Sequence, residues 1–441
     1  MTFTLDQIAA ALGLAAQPPV PITGWSVDSR TVVPGDLFFA LRGPLHDGNA
    51  YIDQALSNGA AAVIGNDTVP DTLAALQQLA VFARDKWGGD VIGITGSAGK
   101  TSTKDVVASL LSSRFVVGKT EGNFNNHVGL PLSILRLPDN AQLAVLELGM
   151  NHAGEIRDLA RIARPRVGVV TNVGYAHIEF FESLDGIAAA KRELIEALPA
   201  DGVAVLNADD PVVARFGDAH PGQIVMFGLQ GLEVRFLAET TRFRVGDIWF
   251  ETSLTGRHGI RNILAGMAVA GLYGIRPEEL VEPVRLLQPG KMRGGRSWFH
   301  GIEVIDDCYN SNPDAAKSMV DVLRDTQATR RIAVLGEMLE LGRWSGNLHR
   351  EVGRYVAECG IDVLVGIRGA AQLMVDAAID AGMPAAAAFF FDEPTEAGVL
   401  LRGLAHEGDA ILFKGSRGTH VERAIETFCS GATAGALQAT S

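Results

Sequence analysis

Short apolar runs, separated by amphipathic stretches, set the pattern of the chain. In its first part, Asp36-Leu37-Phe38-Phe39-Ala40-Leu41 and Ala61-Ala62-Val63-Ile64 read as strands. Helices are expected near 50–58, ending at Gly59, and over 72–86. Thr4-Leu5-Asp6-Gln7 has the form of a capping box and opens a short amphipathic helix that stops near Gly13. Lys86-Trp87-Gly88-Gly89-Asp90 interrupts the helical period with paired glycines and marks a linker. From there Val91–Ile94, Phe115–Val117, Leu143–Leu146, Val167–Val170 and Val203–Leu206 are apolar on both faces, and helix-length segments separate several of them. This predicts a parallel sheet covered on both sides. Residues 223–253 read as antiparallel β structure, and helices over 259–273 and 277–287 close the unit. Past Trp298, the runs Ile302–Ile305, Ile332–Leu335, Val363–Val365, Ala388–Phe391 and Ala410–Phe413 are each followed by a helix-length segment, the doubly wound pattern again.

The expected fold class is therefore α/β in three domains. These are a small N-terminal α/β domain (1–86), a central parallel-sheet domain (87–295) and a C-terminal Rossmann-like domain (296–430). The small, polar stretch 431–441 is expected to be a disordered tail. A chain of 441 residues is too long for one core, which agrees with this division. A net charge of −13 argues against a nucleic-acid partner but leaves an anionic small substrate open, because a local basic cluster overrides the global sign. Cys308, Cys359 and Cys429 share no metal-ligand spacing and fit a reducing, cytoplasmic setting. The first residues lack the basic segment of a signal peptide, and no apolar run approaches the roughly 18–20 residues of a membrane span. A monomer is expected.

The clearest chemistry follows the strand Val91–Ile94. Thr95-Gly96-Ser97-Ala98-Gly99-Lys100-Thr101 is a glycine loop, and a helix carrying Val106, Val107, Leu110 and Leu111 comes next. Strand, glycine loop, Lys-Thr and helix is the context a phosphate-binding loop requires. Glycines let backbone N–H groups turn toward phosphate oxygens, and the helix N-terminus and Lys100 add positive charge. Thr101 offers a hydroxyl to Mg²⁺. The strict spacing wants glycine at position 94, where this chain has Ile94, so the loop is the shorter T-G-S-x-G-K-T form. No guanine-recognition signature accompanies it, which disfavours a GTPase switch.

The stretch Thr95–Thr103 resembles the loop of the Mur ligases, the amide-forming enzymes of peptidoglycan precursor synthesis. Further similar stretches follow in order: Gly122-Asn123-Phe124-Asn125-Asn126, Glu147-Leu148-Gly149-Met150, Thr171-Asn172-Val173-Gly174 with His177, Lys191-Arg192-Glu193, Asn207-Ala208-Asp209-Asp210-Pro211, and Asn262 after His258. Asp28-Ser29-Arg30 with Pro34-Gly35-Asp36-Leu37-Phe38 fits as well. Asp306-Asp307-Cys308-Tyr309-Asn310-Ser311-Asn312-Pro313, Val334–Gly342 and Lys414-Gly415-Ser416-Arg417-Gly418 look like the branch that adds D-alanyl-D-alanine. The resemblance covers nearly the whole chain.

It implies a central ATP-binding domain between a UDP-sugar domain and a ligase domain. It also implies ATP and Mg²⁺, with two ions expected, as cofactors. UDP-N-acetylmuramoyl-tripeptide and D-alanyl-D-alanine would be joined through an acyl phosphate. By the same resemblance Thr95, Gly96, Ser97, Ala98, Gly99, Lys100, Thr101 and Ser102 bind ATP, together with Asn262, Arg293, Asp307 and Asn310. Thr101, Glu147, His177 and Lys191 hold metal, Lys191 as a carbamate formed with CO₂. Lys100, His177 and Lys191 are the catalytic candidates. Ser29, Arg30, Asn123, Asn126, Lys414, Ser416 and Arg417 are the substrate candidates. Asn49 and Gly259 depart from the family pattern and carry no role. The rival readings are another ligase of the superfamily, such as a folylpolyglutamate synthase or a different Mur ligase, and a non-catalytic nucleotide-binding partner protein.

Overall fold

Local signals set the ends of the first helices. In the computed structural model, which describes residues 1–43, 46–237 and 239–430, Leu5–Leu12 is helical and Gly13 closes it at φ 68°. Thr4 N–H donates to Gln7 Oε1 at 3.1 Å, one arm of the capping box. Asp71 caps the helix Thr72–Trp87 by accepting from the N–H groups of Leu73 and Ala74, each at 2.9 Å. That helix runs through Lys86 and Trp87 to Gly88, so the connection is shorter than the glycine pair suggested. The tail expected over 431–441 lies outside the described residues.

The N-terminal domain holds a three-stranded parallel sheet, Gly24–Ser26, Asp36–Phe39 and Ala62–Ile64. Its Leu37, Phe39 and Ile64 share one apolar core with Leu76 and Leu79, and with Leu130 and Ile134 of the next domain.

The central sheet is six-stranded and parallel. Its order is Gln223–Phe227, Val203–Asn207, Val167–Val170, Asp90–Thr95, Leu143–Glu147, Val117–Lys119. Ile92 and Ile94 pack on one face with Val106 and Leu110 of the helix Lys100–Leu111 and Ile263 of the helix Gly256–Leu272. Val91 joins the core on the other face. The strands on the two sides of Asp90–Thr95 are reached in opposite directions, which makes its C-terminal end a topological switch point, where such sheets hold ligands.

The C-terminal domain has the sheet order Gly295–Phe299, Ile302–Asp307, Ala410–Lys414, Arg331–Gly336, Val363–Ile367, Ala388–Phe391. Only the first pairing is antiparallel. Among the described residues no helix is long and apolar enough to cross a membrane.

Four details differ from the sequence reading. Phe115 is drawn into the preceding helix end, its N–H donating to Leu111 O at 3.0 Å, so the strand begins at Val117. Gln223–Phe227 is the parallel edge of the main sheet, and the antiparallel sheet is confined to Glu233–Phe236, Thr241–Val245 and Ile248–Thr252. The segment 277–287 divides into a 3₁₀ turn, Pro277–Leu280, and a short helix, Val281–Arg285. Gly295–Phe299 is a strand that the glycine pair beside it concealed.

Candidate active site

The glycine loop leaves the sheet at Thr95, whose buried hydroxyl donates to Leu148 O at 2.8 Å. Gly96 (φ 149°) and Gly99 (φ 78°) hold backbone shapes that side chains resist. A Cβ on Gly96 would stand 1.9 Å from Thr171 Oγ1, which itself donates to Ala98 O at 2.6 Å. Ser97 Oγ donates to Gly174 O at 2.9 Å, and Ala98 N–H donates to Asn172 Oδ1 at 2.8 Å. The loop is therefore strapped to the segment after the strand Val167–Val170. Lys100 folds back over it, Nζ donating to Gly96 O at 2.7 Å. Burial lowers the Lys100 pKa, opposed by Glu147.

Thr101 and Glu147 meet at the crevice. Thr101 Oγ1 donates to Glu147 Oε2 at 2.8 Å, and Asn125 Nδ2 donates to Glu147 Oε1 at 2.8 Å. Arg293 Nη2, from the start of the C-terminal half, donates to the same threonine hydroxyl at 3.1 Å, and its guanidinium lies 4.0 Å over the Tyr309 ring. Thr101 and Glu147 are hard oxygen donors of the kind Mg²⁺ selects alongside phosphate oxygens, so this pair fits the ion. No group of three His, Cys, Asp or Glu side chains suited to a metal occurs among the described residues. Any ion here would depend on the hydroxyl and on a bound phosphate.

Lys191 lies on the helix Leu184–Glu196 and is 1% exposed. Its pKa falls well below the usual lysine range, first because burial strips water from the ammonium and then because Lys100 repels it. His177 follows the loop of Asn172 and Gly174. Its Nδ1 is 2.6 Å from Glu340 Oε2 of the C-terminal domain. That contact holds the Glu340 carboxyl below its ordinary value.

On the C-terminal side, Asp307 and Lys414 end adjacent strands, and Lys414 Nζ donates to Asp307 Oδ2 at 2.5 Å and to Asn310 O at 3.0 Å. Asn312 Oδ1 accepts from Ala315 N–H at 2.9 Å and caps the helix Pro313–Asp325. Ser416 Oγ accepts from Leu339 N–H at 2.9 Å. Arg417 is surface-exposed and paired with Glu422 at 3.0 Å.

A cavity of about 360 Å³ lies between the helix after the loop and the interdomain hinge, lined by Ser102, Asp105, Asn262, Gln288 and Arg293. Asn262 Oδ1 accepts from Thr103 Oγ1 at 3.1 Å on its wall. A Cβ on Gly259, also in its lining, would stand 3.2 Å from the Leu254 backbone carbon, a physical reason for glycine at that departure from the pattern. A larger cavity of about 490 Å³ lies beside Arg257, Arg261 and Trp298 but touches no residue of the loop. Of the two, the smaller adjoins the glycine loop, through Ser102.

The sugar-side candidates are less gathered. Ser29 Oγ donates to Gln54 Oε1 at 2.7 Å, and Arg30 pairs with its neighbour Asp28 at 2.6 Å. Asn126 Oδ1 accepts from the N–H groups of Val128 and Gly129 at 3.1 and 2.9 Å and so orders a helix start. Asn123 makes no side-chain hydrogen bond among the described residues, and Asn49 pairs with Asp47 at 2.7 Å within its own turn. The sequence reading missed Asn125 and Glu340 although both sit in quoted stretches. A run of asparagines does not say which one turns inward, and the glutamate meets its partner only across the domain interface.

Three family models match consecutive stretches of the chain: "Mur ligase family, catalytic domain" over 21–87, "Mur ligase middle domain" over 94–270, and "Mur ligase, glutamate ligase domain" over 293–417. The UDP-N-acetylmuramoyl-tripeptide–D-alanyl-D-alanine ligase of Bacillus subtilis is 34% identical over 430 residues, spanning 92% of this chain and 93% of the relative. A crystal structure of MurF from Acinetobacter baumannii superposes with a TM-score of 0.89 at 30% identity, covering 98% of this chain and 99% of that one. The MurF ligase of Thermotoga maritima, solved in complex with ADP, gives 0.82 at 29% identity, covering 93% and 97%.

Proposed function

The chain belongs to the Mur ligase family, and from that premise we infer its reaction: the ATP-dependent joining of D-alanyl-D-alanine to the carboxylate of UDP-N-acetylmuramoyl-tripeptide, in peptidoglycan precursor synthesis. Use of ATP and of a UDP-linked substrate supports the cytoplasm as its place of action.

A carboxylate resists amine attack because it is anionic and lacks a leaving group. Transfer of the ATP γ-phosphoryl to a carboxylate oxygen yields ADP and an acyl phosphate. The D-alanyl-D-alanine amine then forms the C–N bond as the C–O bond to phosphate breaks, releasing phosphate and a proton. The site must hold two anions together, and positioning and electrostatics supply most of the acceleration.

The residues divide this work. Thr95–Ser102 wrap the phosphates, with Lys100 over the loop and Arg293 reaching the same hydroxyl from the hinge. Asn262 lines the nucleoside cavity, and Asp307 and Asn310, tied together by Lys414, approach from the closing domain. Mg²⁺ held by Thr101 and Glu147 would offset the repulsion between phosphate and carboxylate.

His177 and Lys191 form the second part of the proposal. An ammonium is no metal ligand, but a buried amine kept neutral adds CO₂ and loses a proton to become a carbamate. The depressed pKa of Lys191 supports that step, and so does the field of Lys100, since a carbamate would turn its repulsion into attraction. Ser29, Arg30, Asn123 and Asn126 are proposed to face the sugar nucleotide. Lys414, Ser416 and Arg417 are proposed to face the incoming dipeptide or the transferring phosphate.

The observation that carries the reading is the meeting of Thr101, Glu147 and Arg293 at one hydroxyl, where the two larger domains close. Phosphate release on the UDP-tripeptide, measured with D-alanyl-D-alanine, D-glutamate and diaminopimelate as competing acceptors, tests it. D-alanyl-D-alanine should stimulate turnover, and failure to do so while another acceptor succeeds sinks the assignment.

A further inference from the structure

His177 and Glu340 are both non-glycine residues in the left-handed region, at φ 62° and 61°, and they face each other across the domain interface. Such conformations are costly and persist where surroundings enforce them. The surroundings here are specific. Glu179 N–H donates to Glu340 O at 3.2 Å, and Arg343 Nη2 donates to Glu182 O at 2.9 Å. Gly342 approaches so closely that a Cβ on it would stand 2.8 Å from Glu179 Cβ. The loop carrying Glu340 is in turn anchored in its own domain. Met338 N–H donates to the buried His349 Nε2 at 2.9 Å, and Leu339 N–H to Ser416 Oγ at 2.9 Å. The carboxylate is therefore a fixed part of the closing domain, aimed at a histidine of the central domain. Nδ1 and Oε2 are at bonding distance, 2.6 Å, but not aligned for a hydrogen bond in this geometry.

We propose that Glu340 is the positioning residue for His177: on domain closure it accepts the Nδ1–H, fixes the tautomer and ring orientation, and leaves Nε2 as the only ring nitrogen able to bind a ligand. A carboxylate behind a ligating histidine is a general way to orient the ring and raise its basicity. Here the carboxylate belongs to another domain, so the ring is set by the packing of the two domains. The sequence separates the two residues widely, and only the fold joins them. This inference rests on the reading of His177 as part of the reaction site.

The test uses the full chain, ¹⁵N-labelled at histidine, as wild type, Glu340→Ala and Glu340→Gln, with His177→Gln to assign the resonance. In the wild type the His177 Nδ1 should carry the proton and Nε2 should not. Glu340→Ala should lose that preference and lower kcat by about 10–100-fold, the usual cost of removing such a partner. The KM for the UDP-tripeptide should stay within about twofold. Glu340→Gln, which still accepts a hydrogen bond, should retain most of the tautomer signature. Unchanged His177 resonances in Glu340→Ala overturn the proposal, as does an Nε2–H tautomer in the wild type. Neither result depends on turnover, so an inactive wild type would count against the reaction assignment alone. Equal far-ultraviolet spectra and melting of the three forms separate positioning from misfolding.

Discussion

Lys191→Met is the most revealing single change. The side chain is 1% exposed, and burial first, then repulsion from Lys100, drives its pKa down. Met keeps the apolar stem and the approximate volume and removes the buried amine. Replacing a buried ionic group with an apolar one of similar size is commonly neutral or stabilising by about 1–4 kcal/mol. For a domain of this size each kcal/mol is roughly 2–4 °C of melting temperature. The sign with pH follows from the depressed pKa. The unfolded lysine binds a proton up to its ordinary value near 10.5, whereas the folded one releases it earlier. Between those two values the unfolded state binds more protons, so wild-type stability rises with pH, and the variant lacks this slope. The advantage of Met should therefore be largest at the acid end. Activity should move the other way, falling by about 10²–10³-fold, as when one preorganised electrostatic group is removed. Scanning fluorimetry at several pH values and coupled ADP release measure both. A variant that keeps turnover within about threefold refutes the assigned role, and one that melts well below the wild type refutes the account of the buried charge.

Three other perturbations follow from the geometry. Gly96→Ala drives a methyl to within 1.9 Å of Thr171 Oγ1 at a φ of 149°, so ATP binding by calorimetry should be lost while the melting of the C-terminal domain is retained. Lys414→Ala strands Asp307 at the end of two adjacent strands, and breaking a buried pair from one side costs roughly 3–5 kcal/mol, visible as an earlier denaturant transition. The double variant Lys414→Ala with Asp307→Ala should recover part of that loss. Chelation of divalent cations should abolish turnover and leave the circular dichroism unchanged, since Thr101 and Glu147 are held to each other by a 2.8 Å hydrogen bond.

Lys191 reads by itself as an ordinary helix lysine and was singled out only by the resemblance, whereas the strand, glycine loop and helix around Thr95–Thr101 and the strand end at Glu147 were legible in the sequence because each is a short local pattern. The layers of both large domains were legible for the same reason, as apolar runs at regular intervals. What escaped was non-local. Gln223–Phe227 is an edge strand, and Gln223, Ile224 and Met226 face solvent, so it reads like a half-exposed antiparallel strand although its register is parallel. Gly295–Phe299 was hidden by the neighbouring glycines, and its pairing with Ile302–Asp307 is a matter of the hairpin rather than of its own composition. Asn125, not its neighbours Asn123 or Asn126, reaches Glu147, because the turn before Gly129 decides which side chain points inward. Arg293 shows the intermediate case: its place at the hinge was readable, whereas its contact with Thr101, 192 residues away in sequence, is made only by the fold.

The central claim is that the tripeptide carboxylate is activated by phosphorylation. It is tested most directly by labelling the terminal carboxylate of the UDP-tripeptide with ¹⁸O and analysing the phosphate released during ligation of D-alanyl-D-alanine. The account predicts one ¹⁸O transferred to phosphate for each amide bond formed, with one ADP produced. Phosphate free of label, with both oxygens kept by the tripeptide or lost to water, would contradict it.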